Sequence, residues 1–295
     1  MMRIILSALL MLVSCIGAQA YQSEKETITA MGITMPYRKC VVANGEVGQK
    51  PCLVLYLHGG SSKGNDNEKP VLEKGTDSIA NYLSAHKINA VFLIPQCPSD
   101  KSWGGPMNGV LKALIERYVN AGTVDADRVY LFGGSMGGTG TWGMLSAYPD
   151  VFAAAMPVAA NPSKCVAENV AQTPAYTVMG TADVIMSVQT AADFVAQLKA
   201  LGDDVQMETE EGWTHEVTCI ESYTTRRLDW VFAHHRNADT GVEAVNASAQ
   251  ALNVVQQWWY TADGQHVDAP QPAHLYLVKE LLSNGAMRTR KVYVR

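Results

Sequence analysis

The sequence has no excess of positive charge and no cluster of basic residues. Its 23 Lys and Arg are outnumbered by 28 Asp and Glu, which gives a formal net charge of −5. Proteins that bind nucleic acid need a basic face to contact phosphates. The composition therefore argues against a nucleic-acid partner. The 47% hydrophobic and 17% charged content is typical of a globular chain and not of a disordered one.

Cysteine is scarce, and its spacing suits neither a metal site nor a redox motif. Beyond the N-terminal segment the cysteines are Cys40, Cys52, Cys97, Cys165 and Cys219. No two of them stand at CxxC spacing, and no histidine is close enough to suggest zinc. Their odd number leaves at least one thiol unpaired unless it pairs between chains. We expect buried small side chains with one or two disulfides at most, and the sequence implies no metal and no organic cofactor.

The N-terminal apolar run is too short to span a membrane. Arg3 precedes the run from Ile4 to Ile16, and Ala18-Gln19-Ala20 offers a cleavage site. Together they predict a secretory signal peptide over residues 1–20. The alternative is lipoprotein processing at Cys15, in LVSC, which would leave a lipid anchor. Either route exports the protein, to the medium, the cell surface or the periplasm.

Strand-like and helix-like segments alternate beyond the signal peptide. CLVLYL (52–57) and AVFLIP (90–95) are near-continuous apolar runs, whereas GVLKALIERYVNAG (109–122) and SVQTAADFVAQLKALG (187–202) have helical spacing. Strands without alternation are buried on both faces, as in a parallel sheet covered by helices. We therefore predict a doubly wound α/β domain over residues 21–240.

The pattern changes near residue 240. The segments VVQQWWYT, HLYLVKELL and RKVYVR alternate at period two, and DG and NG pairs stand between them. These are signals of β-hairpins. We predict a small β module over residues 241–295.

Glycines are concentrated in GGSMGGTGTWG, residues 133–143, where two motifs overlap. G-x-G-x-x-G from Gly138 to Gly143 matches a dinucleotide fingerprint. However, the preceding strand has already ended at Gly133, and the next strand does not end on an acidic residue. The other motif is G-x-S-x-G, centred on Ser135. Its context favours it, because a β-branched and aromatic strand leads in and a helix leads out.

The G-x-S-x-G turn explains why glycine is needed. A strand-to-helix turn this tight forces Ser135 into strained backbone angles, so its neighbours must lack side chains. The serine then lies at a helix N-terminus, which favours developing negative charge. We expect Gly140 and Gly143 to let that helix pack closely on the strands.

A serine nucleophile needs a histidine base and a carboxylate that orients the histidine. His215, in EGWTHEVTC, lies in the predicted loop between the last strand and the last helix. Asp183 lies in a turn just after the strand AYTVMG. Both fit the chain order Ser, acid, His that accompanies a G-x-S-x-G turn on a parallel sheet. The alternatives are a structural histidine and an aspartate that caps a turn, with Asp203, Asp204, Glu210 and Glu211 as rival acids.

Two further segments supply candidate site residues. HGGSS (58–62) follows a central strand, so Gly60 or Ser61 is predicted to give one oxyanion N–H, and Met136 the other. The alternative is an ordinary glycine-rich turn. Trp103, in PQCPSDKSWGGP, is predicted either to line the substrate cleft or to pack in the core. Trp213, beside His215, is the second candidate for substrate contact.

With these residues assembled, the chain resembles the α/β-hydrolase superfamily. The likeness is strongest to secreted carboxylesterases that include feruloyl esterases, polyhydroxyalkanoate depolymerase-like proteins and prolyl-oligopeptidase-like esterases. It rests on LYLHGG, PQCPSDKSWGG, GGSMGGTGTW, GTADVIM and GWTHEVTCIESY, within residues 50–235. The resemblance implies that Ser135 is the nucleophile, His215 the base and Asp183 its partner. It also links the segment around Trp103 to the acyl or alcohol pocket.

The tail resembles C-terminal sorting domains of type IX secretion cargo. TGVEAVN, WWYTADGQHV and LYLVKELLSNGAMRTRKVYVR follow that pattern, although APQPAHLYLV lacks the glycine that usually precedes the YLV strand. The resemblance implies contact with a secretion machinery. A small β module that binds carbohydrate or a partner is the alternative.

The stretch 161–174, where α/β hydrolases usually carry a lid, is too short for a lid domain. We therefore expect an open cleft and an exported serine carboxylesterase, with feruloyl or acetyl esters of plant cell-wall polysaccharide as leading substrates. A serine peptidase of prolyl-oligopeptidase type is the alternative enzyme. A non-catalytic glycan-binding protein on a hydrolase scaffold is the alternative from another class.

Overall fold

The computed structural model describes residues 23–236, 254–261, 264–271, 274–282 and 287–294. The predicted signal peptide, the lipid anchor at Cys15 and the domain boundary near residue 240 lie outside these residues. Among the helices of the described segments, none has the length and apolar character needed to cross a membrane.

An eight-stranded sheet runs through residues 23–236. Its strands are β1 Ser23–Ala30, β2 Ile33–Val42, β3 Cys52–Leu57, β4 Ala90–Pro95, β5 Val129–Gly134, β6 Ala154–Val158, β7 Ala175–Gly180 and β8 Val205–Glu210. The spatial order is β1-β2-β4-β3-β5-β6-β7-β8. Strands β3 to β8 are parallel, and β1 and β2 form an antiparallel pair beside β4. The predicted mostly parallel sheet is confirmed.

Helices lie on both faces of this sheet. They are α1 Lys74–Ala85, α2 Pro106–Asn120, α3 Met136–Ala147, α4 Ala167–Val170, α5 Val188–Ala200, α6 His215–Glu221 and α7 Thr225–Phe232. Alternate side chains of each strand enter different cores. Leu55 and Leu57 pack with α2, α3 and α5 on one face, whereas Val54 and Tyr56 pack with α1 and α7 on the other. Burial on both faces is the reason why these strands are apolar throughout.

The C-terminal residues form a separate antiparallel sheet. Its strands are β9 Val254–Thr261, β10 His266–Val267, β11 His274–Leu282 and β12 Met287–Val294, in the order β10-β9-β11-β12. Gly264 takes a positive φ of 89° in the turn between β9 and β10, at the predicted DG pair. The NG pair at 284–285 lies outside the described residues. The predicted small β module is confirmed as a fold.

The five cysteines at positions 40, 52, 97, 165 and 219 are all free thiols. The sequence left room for one or two disulfides, and none forms among these residues.

Candidate active site

Ser135 occupies a sharp turn between β5 and α3. Its backbone has φ 58° and ψ −120°, a region that residues with a Cβ rarely adopt. Its N–H donates to the Val158 carbonyl at 3.0 Å, which ties the turn to the end of β6. The strained turn predicted from G-x-S-x-G is present, and it leaves Ser135 partly exposed at the carboxyl edge of the sheet.

The glycines after Ser135 let α3 begin directly against the strands. A Cβ at Gly137 would lie 1.8 Å from the Leu57 carbonyl oxygen, and one at Gly138 would lie 2.5 Å from the Val158 carbonyl oxygen. A Cβ at Gly140 would lie 2.4 Å from that of Trp103. These three glycines are therefore required by close approach. The prediction for Gly143 is wrong, because its nearest neighbour would be an Asn108 side-chain atom at 3.9 Å.

Three predicted residues meet at this edge. His215 Nδ1 lies 2.7 Å from Asp183 Oδ2, and His215 Nε2 lies 2.7 Å from Ser135 Oγ. A carboxylate only accepts, so Nδ1 carries the proton and Nε2 accepts from the serine hydroxyl. The Asp183 side chain is fully buried. Its Oδ1 also accepts the N–H groups of Ile185 at 2.8 Å and Met186 at 2.9 Å, which fixes its orientation.

His215 begins α6 and does not lie in a loop as predicted. Thr214 caps this helix through a side-chain oxygen that accepts the Val217 N–H at 3.4 Å. A helix of seven residues shows too little periodicity to be recognised in sequence. The cap and the helix hold the imidazole more firmly than a loop would.

The predicted oxyanion segment is a short 3₁₀ turn over Gly60–Ser62. A Cβ on Gly59 would lie 3.7 Å from that of Ser135, so this turn adjoins the serine. Within the described segments, no hydrogen-bond acceptor faces the backbone N–H of Gly60, Ser61 or Met136. All three amides are free for a ligand, and neither Gly60 nor Ser61 is favoured over the other.

A family model and solved structures match this architecture, although no curated protein does. The model of the prolyl oligopeptidase family (peptidase S9) matches residues 110–163, around the serine turn. A thermostable esterase is 25% identical with a TM-score of 0.66, and the match covers 73% of this chain and 63% of that one. The chain has the α/β-hydrolase fold.

Two other solved structures share the fold at lower identity. The feruloyl esterase module of Clostridium thermocellum, complexed with sinapinate, is 13% identical with a TM-score of 0.58, over 73% of this chain and 89% of that one. A puromycin-hydrolysing peptidase of Mycobacterium tuberculosis is 18% identical with a TM-score of 0.55, over 70% and 39%. An esterase and a peptidase thus both share this fold.

The segment that carries a lid in many α/β hydrolases is short here. Residues 161–174 contain only the four-residue helix α4. A cavity of about 590 Å³ lies between this segment, α3 and the turn before α2. Its lining is mainly polar or small, with one cation: Trp103, Gly104, Gly105, Asn108, Thr139, Gly143, Ser146, Ala147, Asn161, Ser163, Lys164, Cys165, Val166, Asn169 and Met186.

The cavity adjoins the hydrogen-bonded trio. Thr139 follows Ser135 by one turn of α3, and Met186 contacts Asp183 through its N–H. Trp103 both lines the cavity and packs in the core, where only 7% of it is exposed and its Nε1 donates to the His58 carbonyl at 3.0 Å. Trp213 does not line this cavity. Its ring lies 5.9 Å from the guanidinium of Arg227 instead.

His58 lies buried just before the Gly60–Ser62 turn as a neutral imidazole. Its Nδ1 donates to the Gly59 carbonyl at 2.6 Å, and its Nε2 accepts the Cys97 N–H at 2.9 Å. Burial lowers the pKa of His58 to about 4. A proton on Nε2 would break the bond to Cys97, so the fold needs the neutral form.

The contribution of His58 to stability should therefore fall in mild acid. The unfolded chain binds a proton at His58 near pH 6.5, whereas the folded chain resists until about pH 4. Stability from this residue is thus complete above pH 6.5 and declines as the pH falls toward 4. Between pH 7 and pH 5 we expect the free energy of unfolding of the wild type to fall by about 2 kcal/mol relative to that of His58→Gln, measured by urea unfolding of both proteins. An equal change in the two proteins would contradict this assignment.

Glu73 lies beside the candidate site, although no sequence motif pointed to it. It lies between a 3₁₀ turn at Pro70–Leu72 and the start of α1. Its carboxylate accepts the Gly59 N–H at 3.0 Å. No sequence spacing signals this contact, because it depends on how α1 packs against the end of β3.

Proposed function

We propose that this protein is an exported serine carboxylesterase. The observation that carries the proposal is the continuous hydrogen-bonded chain from the Ser135 hydroxyl through His215 to Asp183. On an α/β-hydrolase fold this arrangement supports serine hydrolase chemistry. Ester hydrolysis is the finer choice, and it is supported by the esterases among the structures of similar fold.

In the proposed mechanism Ser135 Oγ attacks the ester carbonyl while His215 Nε2 takes its proton. The N–H of Met136, with that of Gly60 or Ser61, stabilises the oxyanion; one such donor is worth about 10²–10³-fold in kcat. His215 then protonates the leaving alcohol. Water attacks the acyl-enzyme by the reverse sequence and releases the acid. The carboxylate of Asp183 holds the ring and stabilises the imidazolium that forms.

The surroundings of the site favour an ester on a bulky carrier. Ser135 is partly exposed, and the segment that packs beside α3 at Thr139 is only 14 residues long, from 161 to 174. The adjoining cavity offers Trp103 for an aromatic ring, and three asparagines and Lys164 for hydroxyl groups. We therefore propose feruloyl or acetyl esters of plant cell-wall polysaccharide as the leading substrates. Sinapinate in the similar feruloyl esterase module is in keeping with this choice.

A peptidase is the second candidate. The prolyl oligopeptidase family model over residues 110–163 and the puromycin-hydrolysing peptidase of similar fold favour it. The chain covers only 39% of that peptidase, so the likeness reaches the hydrolase domain alone.

The deciding experiment compares an acetyl ester, a feruloyl ester and a peptide. Initial rates are measured on p-nitrophenyl acetate, methyl ferulate and a dipeptide p-nitroanilide, and the cytoplasmic and external fractions of the producing cells are assayed separately. We expect turnover of one or both esters at least ~10²-fold above the anilide, because the described lining of the cavity contains no carboxylate to bind the amino terminus of a peptide. Cleavage of the signal peptide after Ala20 should leave a mature protein that begins at Tyr21, and its measured mass should match that sequence. Anilide hydrolysis at ester-like rates would favour the peptidase. Protein found only in the cytoplasmic fraction, with residues 1–20 retained, would contradict export.

A further inference from the structure

One carboxylate fastens both ends of the turn that contains the free amides of Gly60 and Ser61. Glu73 Oε1 accepts the Gly59 N–H at 3.0 Å and the Ser62 hydroxyl at 2.6 Å. Its Oε2 accepts the Tyr56 hydroxyl at 2.9 Å. The turn's own backbone bond, from the Ser62 N–H to the Gly59 carbonyl, is longer at 3.2 Å. Glu73 therefore ties the two ends of this turn together in addition to the turn's own backbone bond.

The carboxylate is itself rigidly held. The Glu73 carbonyl accepts both the N–H of Thr76 at 3.0 Å and its hydroxyl at 2.6 Å, at the start of α1. Three donors from two neighbouring segments then fix the side chain. A group with so many partners does not reorient when a charge develops beside it, which is the condition for a preorganised site.

The buried surroundings of Glu73 disfavour the charged form of its carboxyl group. Burial raises the pKa of Glu73, and the three hydrogen bonds oppose that rise. The ionisable groups that face it are Tyr56 from β3, Cys219 from α6 and Tyr223 beyond α6, all of which burial keeps neutral. No cation in the described segments pairs with it. A buried carboxylate without a cation is a poor stabiliser of a fold, so stability alone does not account for its presence.

We propose that Glu73 is a positioning residue that holds the amides of Gly60 and Ser61 ready for the oxyanion. The inference rests on the proposed function, because it concerns the same reaction. Glu73 touches neither substrate nor reacting atoms; it acts through Gly59 and Ser62, which flank the two amides. Its effect should therefore be confined to the transition state.

The test replaces the carboxylate with its amide in the full chain. Glu73→Gln keeps the size of the side chain, but an amide has only one acceptor oxygen and no charge. With that oxygen at the Oε1 position, Tyr56 loses its acceptor, and the bonds from Gly59 and Ser62 become weaker bonds to a neutral oxygen. We expect kcat on p-nitrophenyl acetate to fall by about 10–10²-fold with KM changed less than about threefold. Ser62→Ala removes one of the contacts, so its kcat should also fall, but by a smaller factor. Glu68→Gln, the same change on an exposed glutamate that pairs with Lys25 and Arg38, should leave kcat unchanged.

A second readout separates positioning from a merely structural role. A boronic acid that mimics the tetrahedral intermediate should lose affinity for Glu73→Gln in proportion to kcat, whereas the product acid should bind as before. A lower melting temperature with unchanged kcat and unchanged boronate affinity would overturn the proposal. If Glu73→Gln does not fold, Ser62→Ala decides, and wild-type kcat in that variant overturns it.

Failure of the proposed function would look different. In that case the wild type would hydrolyse no ester. The rate at which a fluorophosphonate labels Ser135 would still depend on how well the amides of Gly60 and Ser61 are positioned. Slower labelling of Glu73→Gln than of Glu68→Gln would then support the positioning role, and equal rates would overturn it. A wild type that neither hydrolyses esters nor takes the label would overturn both proposals.

Discussion

Ser135→Ala is expected to lower kcat/KM for esters by at least about 10³-fold. The substitution removes the only atom that the mechanism uses to form the acyl-enzyme, while the oxyanion amides and the cavity remain. The residual rate should therefore come from direct attack of water on the bound ester, with the oxyanion still stabilised by the remaining amides. The measurement is the initial rate on p-nitrophenyl acetate and methyl ferulate for purified wild type and variant.

Two companion variants make the result specific. Ser84→Ala changes a serine in α1 away from the site and should retain full activity. Ser135→Gly should be as inactive as Ser135→Ala but more stable, because φ 58° costs a residue with a Cβ about 1–3 kcal/mol and costs glycine little. A Ser135→Ala protein that kept more than a tenth of the wild-type rate would rule out Ser135 as nucleophile. A Ser135→Gly protein less stable than Ser135→Ala would contradict the backbone strain assigned to position 135.

Gly137→Ala is expected to prevent folding or to lower the free energy of unfolding by more than about 4 kcal/mol. The added Cβ would lie 1.8 Å from the Leu57 carbonyl oxygen and 2.8 Å from that of His58. Both are backbone atoms at the end of a central strand, so neither can move aside without separating α3 from β3. Soluble yield and urea unfolding measure the effect.

Gly143→Ala supplies the matched control on the same helix. Its Cβ would face the cavity with its nearest neighbour at 3.9 Å, and alanine is the better helix former by about 1 kcal/mol. We therefore expect unchanged or higher stability, opposite in direction to Gly137→Ala. Equal losses from both variants would mean that α3 is sensitive to any side chain, and would contradict the role assigned to Gly137.

The sheet could be predicted because each of its inner strands is apolar along its whole length. CLVLYL, AVFLIP and AYTVMG need burial on both faces, and only a covered parallel sheet provides it. The pair β1 and β2 was not predicted. β1, SEKETITA, lies at the edge with half of its residues exposed and only one buried, so its sequence lacks the apolar pattern that marks a strand.

The site could be predicted only where the chemistry leaves a local mark. Ser135, Asp183 and His215 each follow a strand and carry the atoms that the reaction needs, so their types and order were informative. Glu73 was not found, because its contact with Gly59 arises from tertiary packing and not from spacing. Gly143 was assigned to close packing because sequence does not tell which side of α3 faces a strand and which faces a cavity.

The free thiols have a consequence for how the protein is made. Three of the five, at positions 40, 52 and 97, are buried, and burial raises the pKa of every one of them to about 11 or 12. They therefore stay protonated and react slowly with oxidants. Because no covalent cross-link ties residues 23–236 together, their folding needs neither an oxidant nor a disulfide isomerase. The same fold should form in a reducing cytosol and in an oxidising culture medium, which makes an ordinary bacterial expression host sufficient.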